Sequence, residues 1–200
     1  MTAAADNPGK RETILEAARK LFLEVGFGAA SMDAIADAAK VSKQTVYNHF
    51  GSKEELFAAM VRETCDTMTL AFAEAAKDGN PEKTLRSIAR RFMDMVFDED
   101  KLALHRILMA EVSRFPELGR SFYQSGPAVI RQFLADYFRE QNRRGTLKVD
   151  NPQVTAEQFI SMVTSCRLRS ELGVEPIPNA ETREQYISNA VSLIMRACAP

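Results

Sequence analysis

The sequence predicts an all-α protein, built as an N-terminal three-helix domain followed by a C-terminal helical bundle. Three observations predict this class. Apolar residues recur three and four positions apart along almost the whole chain, and no segment alternates apolar and polar residues for long enough to form a strand. Capping residues precede several of the periodic segments. The 200 residues are 46% hydrophobic and 26% charged, an ordinary globular composition that supports a real core.

The first predicted helix runs from Ile14 to Gly26. Its apolar positions lie on one face and comprise Ile14, Leu15, Ala18, Leu21, Phe22 and Val25. Gly26 follows this stripe, and glycine adopts the left-handed conformation found at helix ends without a steric penalty. We therefore expect the helix to end at this glycine.

Two short helices are predicted next, within residues 31–50. Ser31 can cap the first, and Asp33 in its first turn suits the positive end of the helix dipole. Ser42 can cap the second, in which Val46 and Phe50 are four positions apart and can face a core. The remaining side chains of the second helix point largely outward: Lys43, Gln44, Thr45, Tyr47 and Asn48. Two short capped helices joined by a few residues are typical of a helix-turn-helix.

The outward face of the second short helix suits the major groove of DNA. Lysine can bind guanine acceptors or phosphate, glutamine and asparagine can pair with adenine, and threonine or tyrosine carbons can pack on a thymine methyl group. Residues 38–52 contain Lys40 and Lys43 and no acidic residue, although the whole chain has a net charge of −1. A solvated surface helix would show the same polar residues, so the spacing alone leaves both interpretations open.

The rest of the chain also has helical periodicity. Ser52 and Glu55 form a capping box for a long fourth helix, and the Asn-Pro pair at residues 80–81 begins a fifth. The Gly-Pro pair at residues 126–127 either kinks one helix or separates two. Further helices are predicted over about residues 101–114, 128–143, 152–172 and 181–197.

The helices beyond residue 60 are rich in methionine and aromatic residues. Such side chains mostly pack a core, but they also line cavities for apolar small molecules, together with a few polar groups that orient the ligand. The candidate polar groups are His105, Arg106, Tyr123 and Tyr137. The candidate pocket as a whole comprises Met68, Phe92, Met93, Phe97, His105, Arg106, Met109, Tyr123, Phe133, Tyr137 and Met162.

Several classes of function find no support in the sequence. No nucleophile or carboxylate pair has a spacing that suggests catalysis, so we expect the protein not to be an enzyme. Cys65, Cys166 and Cys198 lie too far apart for a zinc motif or a disulfide framework, and we expect no metal and no cofactor. No run approaches the roughly 18 to 20 apolar residues of a membrane span, and the first ten residues lack the apolar stretch of a signal peptide. We therefore expect a soluble, cytoplasmic protein with no membrane partner.

Residues 29–57, AASMDAIADAAKVSKQTVYNHFGSKEELF, resemble the N-terminal DNA-binding signature of TetR-type transcriptional regulators, including the AcrR-like branch. The resemblance rests on VSKQTVYNHF, on the following GSKEEL and on the IA at positions 35 and 36. It implies that residues 42–50 are the recognition helix, with Lys43, Gln44 and Thr45 reading bases. The other implied DNA contacts, chiefly to the sugar-phosphate backbone apart from Asn48, are Ser31, Ser42, Tyr47, Asn48, His49 and Lys53. Gln44 and Asn48 would set the operator sequence, and the absence of arginine from residues 31–60 departs from the strongest guanine-reading chemistry.

A second resemblance covers the C-terminal part of the chain. EVSRFPELGRSFYQSGP and LADYFREQNRRGTLKVDNPQVTAEQF are similar to the AefR-like C-terminal subgroup of the same family. Together the two resemblances imply a ligand-responsive repressor that binds a palindromic double-stranded operator as a homodimer and is released by a small apolar or amphipathic effector. Residues 1–52 would form the DNA-binding domain and residues 53–200 the ligand-binding and dimerisation domain. The last two long helices, 152–172 and 181–197, would pair with those of a second protomer.

A different class of function stays open beside this one. The chain could be a helical small-molecule-binding protein or a redox sensor without sequence-specific DNA binding, in which residues 31–50 serve the fold alone. A redox sensor needs a reactive thiol, and Cys166 lies beside the cationic Arg167.

Overall fold

A computed structural model of the chain describes residues 8–200, and no strand occurs in that part. The all-α prediction is therefore confirmed. The helices in chain order are α1 Pro8–Ala29, α2 Met32–Ala38, α3 Lys43–Phe50, α4 Lys53–Ala76, α5 Pro81–Val96, α6 Glu99–Glu111, α7 Pro116–Ser125, α8 Pro127–Arg144, α9 Pro152–Val163, α10 Arg167–Glu171 and α11 Ala180–Ala197. Among the described helices, none combines the length and the apolar character that spanning a bilayer requires.

The helices pack into two compact units. The first unit holds the described residues up to Thr64 together with Ala103–Gly126, and the second unit holds Cys65–Leu102 together with Pro127–Pro200. Helices α4 and α6 thus contribute residues to both units. The predicted domains, residues 1–52 and 53–200, divide the chain by function rather than by packing, and that division stays a prediction.

An aromatic cluster forms the centre of the first unit. The ring centroids of Phe22, Phe27 and Phe57 lie 5.4 to 5.9 Å from one another. The ring of Phe115, just before α7, meets Phe27 edge-on with its centroid at 5.4 Å. Leu118 of α7 is fully buried in the same core. Residues near the end of α6 and in α7 therefore share one core with α1 to α3 and the start of α4.

Helix α1 is kinked at Gly26, where the sequence predicted that it would end. The backbone of this glycine lies at φ 80° and ψ 168°, a region that only glycine occupies readily. The helical path resumes beyond the kink and ends at Ala29, so the predicted end is three residues early. Val25 was expected to face the core, but its side chain is 45% exposed.

The predicted helix starts are confirmed by capping hydrogen bonds. The hydroxyl of Ser31 accepts from the amide of Ala34 at 3.1 Å, and that of Ser42 accepts from Thr45 at 3.1 Å. The Ser52 hydroxyl also accepts, from the Glu55 amide at 3.1 Å, at the start of α4. The side chain of the asparagine at residue 80 caps α5 at 3.0 Å, with the following proline in the first turn. Local capping signals therefore place these four elements correctly.

The second unit is built around α5, α8, α9 and α11. Its fully buried side chains include Leu85, Phe138, Phe159 and Val191, one from each helix. The apolar stripes on residues 156–163 and 186–194, within the two segments expected to pair with a second protomer, lie mostly in this core. These stripes therefore serve the packing of the single chain.

Two helix boundaries in the second half of the chain could be located only from the structure. The prediction of one helix over residues 152–172 is wrong, since α9 ends at Val163 and α10 begins at Arg167. The hydroxyls of Thr164 and Ser165 donate to carbonyls of α9 at 2.9 and 3.1 Å, an alternative to continued helical bonding. At residues 126–127 the open question is decided in favour of two helices, α7 and α8.

Candidate DNA interface

The helix-turn-helix consists of α2 and α3 joined by a tight turn. Lys40 occupies the left-handed region at φ 54°, and the amide of Val41 reaches back to the carbonyl of Ala36 at 3.0 Å. This pattern of a left-handed residue with a long return bond ends many helices, usually with glycine. Val46 and Phe50 are buried against the first-unit core, which confirms the two predicted anchors of α3.

The opposite face of α3 is open to solvent. Ser42, Lys43, Gln44, Tyr47 and Asn48 are exposed, while Thr45 and His49 are half-buried. Tyr47 keeps 41% of its surface accessible although it is a large aromatic residue. Tyr47 therefore presents its ring to solvent beside these polar side chains.

Two internal hydrogen bonds order this polar face. The amide of Gln44 donates to the Asn48 side-chain oxygen at 2.7 Å, one turn along the helix. The hydroxyls of Ser42 and Thr45 lie 2.8 Å apart. Because these partners are three and four residues apart, they lie on one side of the helix. The face is therefore partly arranged before any ligand arrives.

Lys43 is paired within the protein. Its ammonium lies 2.8 and 2.9 Å from the two carboxylate oxygens of Asp33 on α2. It also lies 5.9 Å from the centroid of the Tyr47 ring. The hydrogen bond to Asp33, with the charge of that carboxylate, raises the pKa of Lys43. A contact to phosphate or guanine would have to compete with Asp33, a partner that sequence reasoning had assigned only to the helix dipole.

Lys53 is turned toward the α1–α2 connection. Its ammonium donates to the carbonyls of Phe27 at 2.6 Å and Ala30 at 2.7 Å, and lies 4.5 Å from the centroid of the Phe27 ring. Burial lowers its pKa, and the carboxylates of Glu54 and Glu111 oppose this effect. The predicted phosphate contact by Lys53 stays a prediction, and it would require the ammonium to leave these carbonyls.

Sequence reasoning missed one cation near the candidate interface. The guanidinium of Arg11 lies 5.7 Å from the ring centroid of Phe50, the last residue of α3. Arg11 precedes the segment that carries the family resemblance, so no motif marked it. Its position three residues before the buried Ile14 was the available signal, since such neighbours share one side of a helix. Ser31, in contrast, is exposed where expected and uses its hydroxyl as the cap of α2.

The predicted pocket residues are divided between the two units. The first unit contains four of the predicted residues: His105, Arg106, Met109 and Tyr123. The other predicted residues belong to the second unit. Met109 is 58% exposed and Tyr123 is 45% exposed. In the second unit Met93 and Phe97 are buried, and Phe92 borders a narrow apolar gap that admits no water. The remaining predicted members of the second unit are Met68, Phe133, Tyr137 and Met162. The pocket stays a prediction.

The three cysteines are buried. Burial raises the pKa of Cys65 to about 11, and it also raises the pKa values of Cys166 and Cys198. Among residues 8–200, no group of three or more His, Cys, Asp or Glu side chains is arranged to hold a metal ion. A raised thiol pKa disfavours the reactive thiolate. These surroundings weigh against the redox-sensor hypothesis without deciding it.

Comparison with protein families gives two matches. Residues 14–60 match the bacterial regulatory proteins of the tetR family, and residues 83–200 match the C-terminal domain of AefR-like transcriptional repressors. The first match contains α2 and α3, and the second covers more than half of the chain.

Individual proteins agree with these families. The chain is 37% identical to the transcriptional repressor AcnR of Corynebacterium efficiens, over 80% of this chain and 81% of that protein. It is 35% identical to the transcriptional activator FasR of Mycolicibacterium smegmatis over 88 residues, which span 44% of this chain and only 40% of that protein. Among solved structures, the flavonoid-responsive regulator FrrA is 36% identical, with a TM-score of 0.74 and coverage of 97% of this chain and 99% of that one.

Proposed function

Since the chain belongs to the tetR family of bacterial regulatory proteins, we propose that it represses transcription: it binds a palindromic operator as a homodimer, and a small apolar or amphipathic molecule releases it. The observation that carries the proposal is the polar outer face of α3, held outward by the buried Val46 and Phe50. Recognition helices enter the major groove with such a face toward the bases. The AefR-like repressor match over residues 83–200 favours repression over activation.

Base reading is assigned to the first turns of α3. Lys43, Gln44 and Thr45 lie at its N-terminal end, the part of a recognition helix that contacts base edges. The hydrogen bond from Gln44 to Asn48 uses the Nε2 donor and the Oδ1 acceptor, so the Gln44 Oε1 acceptor and the Asn48 Nδ2 donor are not used in it. An acceptor beside a donor is the complement of the adenine edge, which presents an amino group and N7. We expect adenine opposite this pair.

Binding as a dimer follows from the small number of cationic contacts. One protomer offers about three cationic or partly cationic phosphate contacts, from Lys43 or Lys40, from Lys53 and from the amide ends of the helices. Two protomers offer about six, for which log affinity falls with log salt at a slope of about −5. The two copies of α3 would lie about 34 Å apart, one turn of the duplex. We place the dimer contact on residues 152–172 and 181–197. Exposed apolar side chains in these segments support this placement: Val154, Leu168, Leu172 and Leu193.

The effector is proposed to be a small apolar or amphipathic molecule. Methionine and aromatic side chains in the predicted pocket suit such a ligand. The similarity to a flavonoid-responsive regulator supports the same chemical class. An effector changes operator occupancy only through its different affinities for the DNA-binding and released states, at about 1.4 kcal/mol for each tenfold change.

The proposed role consists of binding and release and requires no catalysis. The relatives named above are transcriptional regulators, which supports this part of the proposal. Because the chromosomal operators of a bacterium lie in its cytoplasm, the same role places the protein there.

The proposal is tested by selecting duplexes from a random pool with the purified protein. We expect a two-fold symmetric sequence to be enriched and to bind with a salt slope of about −5. The alternative, a helical small-molecule binder or redox sensor, predicts no enrichment. Enrichment of an asymmetric site, or a flat salt dependence, would contradict the proposed dimeric interface. A duplex with its two half-sites moved apart by five base pairs is the matched control, because it places them on opposite sides of the helix.

A further inference from the structure

The connection between α1 and α2 is held by side chains from two distant parts of the first unit. Lys53, the first residue of α4, donates to the carbonyls of Phe27, Gly28 and Ala30 at 2.6, 3.4 and 2.7 Å. These carbonyls follow the kink at the end of α1, where the helix itself provides few donors. One ammonium therefore fastens a whole turn of backbone.

A carboxylate holds the same connection through an amide. Glu111, the last residue of α6, accepts a hydrogen bond from the amide of Gly28 at 3.1 Å across 83 positions of sequence. A Cβ atom at position 28 would lie 2.7 Å from the accepting oxygen, so the carboxylate of Glu111, the end of a flexible side chain, would have to shift away from an alanine at this position. The contact thus depends on both residue types at once.

Aromatic packing closes the remaining side of the connection. The rings of Phe27 and Phe115 meet edge-on at 5.4 Å, and the Lys53 ammonium lies 5.9 Å from the Phe115 centroid. Phe115 follows α6 by four residues. A shift of the end of α6 would therefore act on both Glu111 and Phe115.

The fastened segment leads directly into the DNA-binding face. Ala30 is followed by Ser31, the cap of α2, and the first turn of α2 carries Asp33, which holds Lys43 of α3. A displacement of the connection would move this cap and with it the first turn of α2. Because base contacts depend on geometry while backbone contacts depend mainly on charge, such a movement would affect specific binding first.

We propose that Glu111 is a positioning residue for operator recognition, and that its contact to the Gly28 amide makes operator affinity depend on the position of α6. The inference rests on the proposed function and adds to it the place where a change in the effector-responsive part of the chain reaches the helix-turn-helix. A hydrogen bond of 3.1 Å is lost when its partners separate by about 1 Å, so a small movement of α6 is sufficient.

The test compares affinities for two duplexes, measured by fluorescence anisotropy: the duplex that the wild-type protein selects, and an unrelated duplex of equal length. For Glu111→Ala we expect about tenfold weaker binding to the selected duplex and less than twofold change on the unrelated one. Glu111→Gln keeps an acceptor oxygen and should bind within threefold of wild type. The matched control is Glu117→Ala, which removes a glutamate paired with Arg120, and it should leave both affinities unchanged.

A second pair of variants tests the contact itself. Gly28→Ala should weaken specific binding because its methyl group meets the carboxylate of Glu111. In the Glu111→Ala background the same change should cost nothing further, since the obstructing oxygen is gone. Additive losses, or equal losses on both duplexes, would overturn the inference. If Glu111→Ala does not fold, the comparison of Gly28→Ala with Glu111→Gln decides the question. Gly28→Ala should then weaken binding to the selected duplex, while Glu111→Gln should stay within threefold of wild type.

The failure of this inference is distinguishable from the failure of the proposed function. If the wild-type protein selects no duplex, the proposed function fails. Hydrogen exchange at the Gly28 amide then still reports on the contact, with slow exchange expected in the wild type and faster exchange in Glu111→Ala. If a duplex is selected but Glu111→Ala binds it as tightly as wild type does, only the positioning role is wrong.

Discussion

The helix-turn-helix and the second unit differ in how far apart in sequence their interacting residues lie. In the helix-turn-helix, the caps, the two anchors and the polar face all depend on residues three or four positions apart. In the second unit, helices that begin more than 40 residues apart form one core, as α5 and α9 do. A recognition surface can therefore be derived from a short sequence, whereas a ligand pocket depends on how distant segments meet.

The largest expected effect concerns the local side of this comparison. Tyr47→Ala should weaken binding to the selected duplex by about 100-fold or more in the dimer, at about 1–3 kcal/mol for each of two contacts. The thermal unfolding temperature should stay near the wild-type value, because Tyr47 is 41% exposed. The matched control is Tyr123→Ala, a tyrosine with 45% exposure that lies outside α3. Loss of folding in the Tyr47 variant would contradict its placement on the surface.

The second prediction concerns a buried group. With a pKa of about 11, the Cys65 thiol is about one thousandth ionised at pH 8, so its reaction with a disulfide reagent should be at least 100-fold slower than that of a free cysteine. The raised pKa means that ionisation, and with it the loss of stability, begins only as the pH rises above about 9. When the protein is unfolded in denaturant, the Cys65 thiol should react rapidly. Rapid reaction in the folded state would favour the redox-sensor hypothesis.

The outcome of the sequence analysis follows the same division. The caps at Ser31, Ser42 and Ser52 and the anchors Val46 and Phe50 could be predicted, because each depends on neighbours within one helical turn. The pairing of Asp33 with Lys43 spans ten positions and the carbonyl contacts of Lys53 span more than twenty, so no local pattern indicated them.

The length of the last helices shows a further limit of local reasoning. The apolar spacing of residues 152–172 continues through the break at residues 164–166 without a Gly or Pro to mark it. The hydroxyls of Thr164 and Ser165 bond to α9 carbonyls at this break. Thr64 and Thr69 make the same kind of bond inside the unbroken α4, so a hydroxyl residue in the sequence does not predict where a helix ends. The pocket residues are harder to predict, since helical periodicity gives no information on which of them lie together in the fold.

A variant of Lys53 distinguishes its two possible roles, which are to hold the α1–α2 connection and to contact a DNA phosphate. Lys53→Met keeps the aliphatic stem but removes the donors to Phe27 and Ala30, and should lower the free energy of unfolding by about 1.5–3 kcal/mol. If Lys53 instead contacts phosphate, the salt slope should become shallower by about 1.8 per dimer with little change in stability. Urea titration and a salt series of binding curves separate the two outcomes. Lys20→Met, an exposed lysine on α1, is the control and should change neither quantity.

A smaller effect is expected at the Lys43 pair. Asp33→Asn frees the Lys43 ammonium and removes a negative charge near the duplex, so affinity for DNA of any sequence should rise about three- to tenfold. The gain should largely disappear in a Lys43→Met background, because the pairing then no longer matters. Asp37→Asn, an exposed carboxylate on the same helix, controls for the change in net charge. An equal gain from Asp37→Asn would show that the pairing is not the cause.

The smallest effect concerns the turn between α2 and α3. Lys40 is the one residue other than glycine with a positive φ among residues 8–200, and its backbone at φ 54° costs about 1–2 kcal/mol relative to glycine. Lys40→Gly should therefore raise the free energy of unfolding by about 1 kcal/mol. Lys20→Gly, in the middle of α1, should lower it by about 1 kcal/mol, because glycine weakens a helix interior. Opposite signs from one chemical change would show that backbone conformation decides the effect, and a loss at both positions would refute the assignment of this turn.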